Sequence, residues 1–302
     1  MRGASRRAFV AGTAAIAACG PSIARASRVP PPDLALSDWT FEKRSPFVHR
    51  SIVLAPTHLP AGTRVPVLVL LHGLGEAKEG PESGVYAWLD RYGLGGAYAR
   101  LRKPPLASIL KRKDLTDERA ATLNAELAAR AFGGMVLVCP FTPNVWSFKS
   151  TPGALDALTD FTFGALLDRV ARDVPEADMT RIGLDGCSLG GFVGLELLAR
   201  AGKKDARLVT FGVVQPAIGE GSVDRYARVV AVVKDARPRL GVHVESSKGD
   251  PYLRVSRLLA ARLTELGVQN DFIAPPGPHD QPFLRDVGTL EMLLFHDRAL
   301  RA

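Results

Sequence analysis

The order of predicted elements along this 302-residue chain indicates an α/β fold, with a mostly parallel sheet and helices on both of its faces. Strand-like segments alternate with helix-like segments over most of the sequence. Two of the strand-like segments, residues 66–71 and 135–139, are continuous apolar runs, as expected of central strands buried on both faces. A G-x-S-x-G motif between a strand and a helix is the third indication.

The predicted elements follow one another without an internal repeat. The strands comprise residues 47–54, 66–71, 135–139, 181–185, 208–214, 240–245 and 270–274. The helices have apolar residues at helical spacing or end at a glycine or proline. They comprise residues 117–132, 155–174, 192–200, 223–233, 252–266 and 289–300.

An insertion at residues 76–133 separates two predicted strands and is far longer than a strand–helix–strand connection requires. Four aromatic residues, Tyr86, Trp88, Tyr92 and Tyr98, precede its predicted helix. Two interpretations stay open. The insertion is either a partial cap that shapes a substrate pocket, or a helical addition packed beside the sheet.

Residues 1–26 have the composition of an export signal. Arg6 and Arg7 lie in a sequence similar to the bacterial twin-arginine consensus, and the apolar run that follows is too short to span a bilayer. Two processing sites stay open: cleavage after Ala26, or lipidation of Cys19 in a lipobox-like sequence. We therefore expect an exported protein that is periplasmic, secreted or anchored to the membrane as a lipoprotein.

The remaining composition limits the classes of partner. Residues 27–39, which contain three successive prolines, are predicted to be a linker. Removal of residues 1–26 would take away four arginines and no acidic residue, so the formal net charge would fall from +8 to +4. The sequence has no basic stripe with interleaved aromatic residues, so we expect no nucleic-acid partner. It has three cysteines and no C-x-x-C motif, which argues against a zinc knuckle or redox pair.

The G-x-S-x-G motif is formed by Gly186, Cys187, Ser188, Leu189 and Gly190. Between a strand and a helix this pattern is typical of a nucleophile elbow, in which glycines make room for a sharp turn. The turn would raise the Ser188 hydroxyl above the sheet edge and direct the Leu189 N–H toward a developing oxyanion. The alternative is a plain glycine-rich turn that packs a helix on a strand.

A serine hydroxyl needs a base to become a nucleophile. His279 is the best candidate among six histidines, because it lies in a proline-rich loop directly after the last predicted strand. His243 lies within a predicted strand and His296 within the last helix, so both are expected to be packing residues.

Asp250 follows the preceding predicted strand and could orient the imidazole of His279. Its place before Pro251 would also suit a helix N-cap, and both roles stay open. Glu245 and Asp271 are weaker rivals, because they lie within or at the start of strands.

His72 and Gly73 end the predicted strand at residues 66–71. The backbone N–H of Gly73 or Leu74 could join that of Leu189 in an oxyanion hole. Trp146 and Gln215 also follow strand ends, where each could either line a substrate pocket or pack internally.

In their order along the chain, His72-Gly73, the Ser188 motif, Asp250 and His279 resemble the α/β-hydrolase superfamily, and its esterase D and feruloyl esterase branch in particular. The resemblance covers about residues 40–300 of a catalytic domain at residues 40–302. It implies an eight-stranded, mostly parallel sheet with the insertion after the third strand, no cofactor, and a Ser–His–Asp triad that hydrolyses small-molecule or polymer esters.

The same resemblance has two further implications. It places the third strand between those of Cys139 and Cys187, so both thiols are expected to be free and buried. It also leaves two alternatives to an esterase, namely a serine peptidase and a catalytically idle binding protein of the same fold.

Overall fold

The computed structural model describes residues 33–42, 46–202 and 205–301. Its centre is an eight-stranded sheet with the order β1-β2-β4-β3-β5-β6-β7-β8. The strands are β1 (Leu34–Thr40), β2 (Arg50–Pro56), β3 (Val65–Leu71), β4 (Val136–Pro140), β5 (Ala177–Gly186), β6 (Leu208–Val214), β7 (Gly241–Glu245) and β8 (Asp271–Ile273). Strands β3 to β8 are mutually parallel, whereas β2 runs antiparallel to β1 and β4. The predicted mostly parallel sheet is confirmed.

Helices cover both faces of this sheet. They are α1 (Leu74–Ala77), α2 (Pro81–Gly84), α3 (Leu94–Arg102), α4 (Asp117–Ala129), α5 (Thr151–Asp160), α6 (Leu167–Asp173), α7 (Leu189–Ala201), α8 (Val223–Ala236), α9 (Leu253–Glu265), α10 (Gln281–Phe283) and α11 (Thr289–Leu300). The predicted helix at residues 155–174 is divided by a π-helical segment, Phe161–Leu166, in which Gly164 leaves helical geometry. Within the described ranges, no helix combines the length and apolar character needed to cross a membrane.

Alternate residues of β3 face two separate cores. Val67, Val69 and Leu71 pack with helices α5 to α9 on one face of the sheet. Leu68 and Leu70 pack with the insertion and α11 on the other face. Because successive side chains of a strand point to opposite faces, one continuous apolar run supplies both cores.

The insertion at residues 76–133 is a packed layer of the fold. It holds α2, α3 and α4, and its four aromatic residues are all buried, with Trp88 and Tyr98 fully so. These side chains share one hydrophobic core with α11 and with β2. The structure therefore favours a helical addition packed on the sheet over a partial cap.

The predicted linker at residues 27–39 is wrong over its second half. Leu34–Thr40 forms β1, which pairs with β2 along its whole length, from Leu34 opposite Pro56 to Thr40 opposite Arg50. Leu34 and Trp39 are buried, whereas the polar residues between them are exposed at the edge of the sheet. Because these polar residues interrupt the apolar pattern, the sequence did not indicate a strand here. The predicted export signal at residues 1–26 lies outside the described residues.

Two of the cysteines lie in or next to the sheet and do not form a disulfide. Cys139 lies on β4 and Cys187 directly after β5, and β3 separates them. Both are buried free thiols, as predicted. Burial raises the pKa of each thiol, so both stay protonated and poorly nucleophilic.

Candidate active site

Ser188 occupies a strained turn between β5 and α7. Its backbone has φ 57° and ψ −115°, a conformation that side-chain-bearing residues rarely adopt. Two hydrogen bonds hold the turn against the strands on either side of β5. The Cys187 N–H donates to the Leu71 carbonyl at 3.0 Å, and the Ser188 N–H donates to the Val214 carbonyl at 2.9 Å. The turn is thus fixed by β3 and β6 together.

Both glycines of the motif are required by close backbone approaches. A Cβ atom at Gly190 would lie 2.1 Å from the Leu71 carbonyl oxygen. At Gly186 it would lie 2.3 Å from the Gly190 carbonyl oxygen. Neither contact involves a flexible side chain, so a larger residue would displace the backbone around Ser188. This is the geometry expected of a nucleophile elbow.

The structure brings Ser188, His279 and Asp250 together at the carboxyl edge of the sheet. His279 Nε2 lies 3.1 Å from Ser188 Oγ, and His279 Nδ1 lies 3.0 Å from Asp250 Oδ1. The Asp250 side chain is fully buried, whereas 20% of the His279 side chain is exposed. An ionised carboxylate accepts from the Nδ1–H, which leaves the Nε2 lone pair facing the serine hydroxyl.

Asp250 also holds its own loop in place. Its Oδ2 accepts a hydrogen bond from Ser246 Oγ at 2.6 Å, and its Oδ1 accepts one from the Tyr252 N–H at 2.9 Å. The second bond closes the turn that leads into α9. Of the two roles left open by the sequence, Asp250 has the contact with His279, whereas the N-cap position of α9 is occupied by Tyr252.

The rival residues lie elsewhere. Glu245 is buried beside His243, with Glu245 Oε2 3.3 Å from His243 Nε2, and Asp271 is half exposed. His243 stacks on Phe295, and burial lowers its pKa to about 4. His296 is fully buried in α11, and its Nε2 lies 2.9 Å from Asp185 Oδ2 on β5. Within the described ranges, no three His, Cys, Asp or Glu side chains are grouped as metal ligands would be.

Two helices, α1 and α7, begin beside Ser188. Leu74 is the first residue of α1 and Leu189 the first of α7, so neither N–H has an acceptor within its own helix. Among the described residues, neither takes part in the backbone hydrogen bonds that join loops and turns. A Cβ atom at Gly73 would lie 3.6 Å from Ser188 Cβ, which shows how closely this loop approaches the serine.

The Gly73 N–H is not a free donor, contrary to one of the two predicted choices. It donates to the Tyr92 hydroxyl at 3.0 Å. Tyr92 belongs to the insertion, so the sequence around Gly73 gave no sign of this contact. Leu74 and Leu189 are therefore the two predicted oxyanion donors that remain available.

His72 fixes the loop that carries Gly73 and Leu74. The Thr142 N–H donates to His72 Nε2 at 2.8 Å, and His72 Nδ1 lies 3.0 Å from the Gly73 carbonyl. Since a carbonyl only accepts, Nδ1 carries the proton and the ring is neutral. Burial lowers the pKa of His72 to about 4, consistent with that assignment.

The two predicted pocket residues differ in their surroundings. Gln215 is buried, with φ 49°, and its amide nitrogen donates to Ser247 Oγ at 2.9 Å and to the Pro278 carbonyl at 3.2 Å. It therefore ties the Asp250 loop to the His279 loop rather than lining an open pocket. Trp146 is 48% exposed, and its ring lies 5.0 Å from that of Phe192, one turn after Ser188.

Comparisons with known proteins bear on the fold. No family model and no curated protein matches the sequence. A solved ferulic acid esterase is 15% identical, with a TM-score of 0.61, over 88% of this chain and 99% of that one. An S-formylglutathione hydrolase from Agrobacterium tumefaciens is 15% identical, with a TM-score of 0.55, over 89% and 96% of the two chains. The chain has the α/β-hydrolase fold.

A third solved structure extends the same likeness. The feruloyl esterase module from Clostridium thermocellum, complexed with sinapinate, is 12% identical with a TM-score of 0.54. The match covers 92% of this chain and 91% of that module. At these identities the likeness establishes the fold, and the chemistry has to be argued from the residues of this chain.

Three residues near the site were not predicted to belong to it. Glu76 and Tyr92 lie in the insertion, and Gln281 lies two residues after His279. All three are joined by hydrogen bonds. Because these contacts span 16 and 205 residues of sequence, no local pattern indicates them.

Proposed function

We propose that this protein is a serine hydrolase that cleaves carboxylic esters through an acyl-enzyme. The observation that carries the proposal is the line of Ser188, His279 and Asp250 side chains, joined at 3.1 and 3.0 Å. The strained position of Ser188 and the two helix N-termini beside it support the same chemistry. The names of the structural neighbours, ferulic acid esterase and S-formylglutathione hydrolase, support an ester-like substrate.

Acylation begins when His279 Nε2 takes the hydroxyl proton of Ser188 while Ser188 Oγ attacks the ester carbonyl carbon. The carbonyl oxygen becomes an oxyanion, which accepts hydrogen bonds from the Leu74 and Leu189 N–H groups. Asp250 stabilises the imidazolium that forms. The C–O bond to the alcohol then breaks, and the alcohol leaves with the proton from His279 Nε2.

Deacylation repeats these steps with water as the nucleophile. His279 Nε2 takes a proton from water, and the resulting hydroxide attacks the acyl carbon. The same two N–H groups stabilise the second oxyanion. The bond to Ser188 Oγ breaks, the serine recovers its proton from His279, and the carboxylic acid is released. Every proton transfer uses side chains of this chain, and no cofactor enters the scheme.

Substitution of Ser188 by alanine tests the proposal. With p-nitrophenyl acetate, Ser188→Ala is expected to lower kcat by about 10⁶-fold. Ser37→Ala is the matched control, because Ser37 is exposed on the edge strand β1. Near wild-type turnover by Ser188→Ala would contradict the assignment.

A substrate comparison separates the alternative functions. The wild-type protein is expected to hydrolyse p-nitrophenyl acetate faster than a peptide p-nitroanilide. The reverse order would favour a serine peptidase. The absence of turnover on both, in a folded protein, would favour a catalytically idle binding protein.

We also propose that the protein is exported. The paired residues Arg6 and Arg7 and the apolar run after them support this, as does the absence of acidic residues before Ser27. Expression with both arginines changed to lysine should retain the protein in the cytoplasm, whereas the unaltered chain should reach the periplasm or medium. The mass of the mature protein distinguishes cleavage after Ala26 from lipidation at Cys19. If the lysine variant and the unaltered chain were distributed equally between the cytoplasm and the exported fraction, twin-arginine export would be contradicted.

A further inference from the structure

A chain of hydrogen bonds connects the loop of Gly73 and Leu74, called here the oxyanion loop, to the segment that follows His279. The Gly73 N–H donates to the Tyr92 hydroxyl at 3.0 Å, and the Tyr92 hydroxyl in turn donates to Glu76 Oε2. The other carboxylate oxygen, Glu76 Oε1, accepts from Gln281 Nε2 at 2.9 Å. We propose that Tyr92 and Glu76 are positioning residues that hold the Leu74 N–H in place for the oxyanion.

The connection lies close to the reacting atoms. A Cβ atom at Gly73 would be 2.9 Å from the Tyr92 hydroxyl, 3.4 Å from Glu76 Oε2 and 3.6 Å from Ser188 Cβ. Tyr92 and Glu76 are nevertheless 3% and 4% exposed, so substrate has little access to them. They act on the reaction through the Gly73 backbone rather than by contact with the ester.

The hydroxyl of Tyr92 sets the direction of one peptide group. It accepts from Gly73 and donates to Glu76, so its single proton is committed to the carboxylate. Burial and the adjacent Glu76 carboxylate raise the pKa of Tyr92, which keeps that proton in place. With the Gly73 N–H bound in this way, the next N–H along the chain, that of Leu74, is left for the substrate.

Burial of the Glu76 carboxylate costs free energy, and the positioning role gives a reason for that burial. A buried carboxylate is unfavourable unless hydrogen bonds compensate its lost hydration. Glu76 receives such bonds from Tyr92, which precedes Ser188 in the sequence, and from Gln281, which follows it. Loss of either donor would leave the charge undercompensated and would free the oxyanion loop to move relative to His279.

The inference rests on the proposed esterase function, and Tyr92→Phe tests it. This change removes one oxygen atom and keeps the ring in its apolar surroundings. Since a displacement of about 1 Å in a reacting group can cost about 10²-fold in rate, we expect kcat for p-nitrophenyl acetate to fall by about 10²-fold. KM should change by less than about twofold, because ground-state contacts are retained.

Two further variants complete the design. Tyr98→Phe is the matched control, because Tyr98 is a fully buried tyrosine of the same insertion whose hydroxyl lies against Gly134. Glu76→Ala should resemble Tyr92→Phe. Glu76→Gln should recover most of the activity, because its amide oxygen can still accept from Tyr92 once Gln281 turns its own amide.

Active-site titration with a fluorophosphonate separates positioning from folding. A purely structural role would lower the number of titratable sites and leave kcat per site unchanged. The inference is correct if kcat per titrated site falls in Tyr92→Phe and not in Tyr98→Phe. It is overturned if the two variants have equal kcat per site. Wild-type protein without turnover would instead remove the proposed function, on which the inference depends.

Discussion

Replacement of His72 by glutamine is expected to change how the stability of this protein depends on pH. The buried imidazole accepts from the Thr142 N–H at 2.8 Å and contacts the Gly73 carbonyl at 3.0 Å. Protonation of Nε2 would break the first of these bonds and place a charge in the core. Burial accordingly lowers the pKa of His72 from 6.5 to about 4 in the folded protein.

The size and sign of the effect follow from these two values. Between pH 6.5 and 4 the unfolded chain binds a proton at His72 more readily than the folded chain does. The contribution of His72 to the free energy of unfolding is therefore complete above pH 6.5 and is lost as the pH falls. Between pH 7 and pH 5 the loss is about 2 kcal/mol.

Urea unfolding at pH 7 and pH 5 measures this contribution. At pH 7 the wild type should be more stable than His72→Gln, and at pH 5 the difference should be smaller by about 2 kcal/mol. His243 has a pKa lowered to about 4 by burial, but it is present in both proteins and its effect cancels. An equal difference at the two pH values would refute the assignment of a neutral, buried His72.

Three further substitutions address the elbow, the acid and the exposed Trp146. Gly190→Ala should destabilise the fold by about 3 kcal/mol in urea unfolding, because its Cβ would lie 2.1 Å from the Leu71 carbonyl oxygen; unchanged stability would contradict this packing. Asp250→Ala should lower kcat by about 10⁴-fold in steady-state assays, and a loss below tenfold would argue against its role. Trp146, whose ring packs beside that of Phe192, could stack on an aromatic substrate, so Trp146→Ala should raise KM about fivefold for naphthyl esters but not for p-nitrophenyl acetate. Equal changes in KM for the two substrates would exclude a substrate contact.

Much of the site could be predicted because of where its residues lie along the chain. Ser188 follows β5, Asp250 follows β7 and His279 follows β8. The carboxyl ends of parallel strands meet at one edge of a sheet, so residues after successive strands come together there. Sequence order and strand prediction were therefore enough to predict that these three side chains lie together at one edge of the sheet.

The donor within the oxyanion loop could not be predicted in the same way. Gly73 and Leu74 are adjacent, and sequence alone does not decide which N–H faces the substrate. The decision depends on Tyr92, which reaches Gly73 only after the insertion has folded against the sheet. A contact of this kind is set by tertiary packing, and no local propensity reveals it.

The environment of Gln215 and the strand β1 could not be read from the sequence, for different physical reasons. Gln215 follows a strand end as the catalytic candidates do, but its positive φ of 49° accompanies a side chain bonded to the neighbouring loops. Strand β1 lies at the edge of the sheet, where exposed polar residues interrupt the apolar pattern. Backbone conformation and edge position are both poorly encoded in side-chain hydrophobicity.

The most direct test of the central proposal is the site of covalent labelling by a fluorophosphonate. The reagent phosphonylates a serine whose hydroxyl is activated by a neighbouring base. Intact-mass and peptide analysis of the labelled protein should show a single adduct on Ser188, and His279→Ala should abolish it. An adduct on another residue, or none on the folded wild-type protein, would contradict the account.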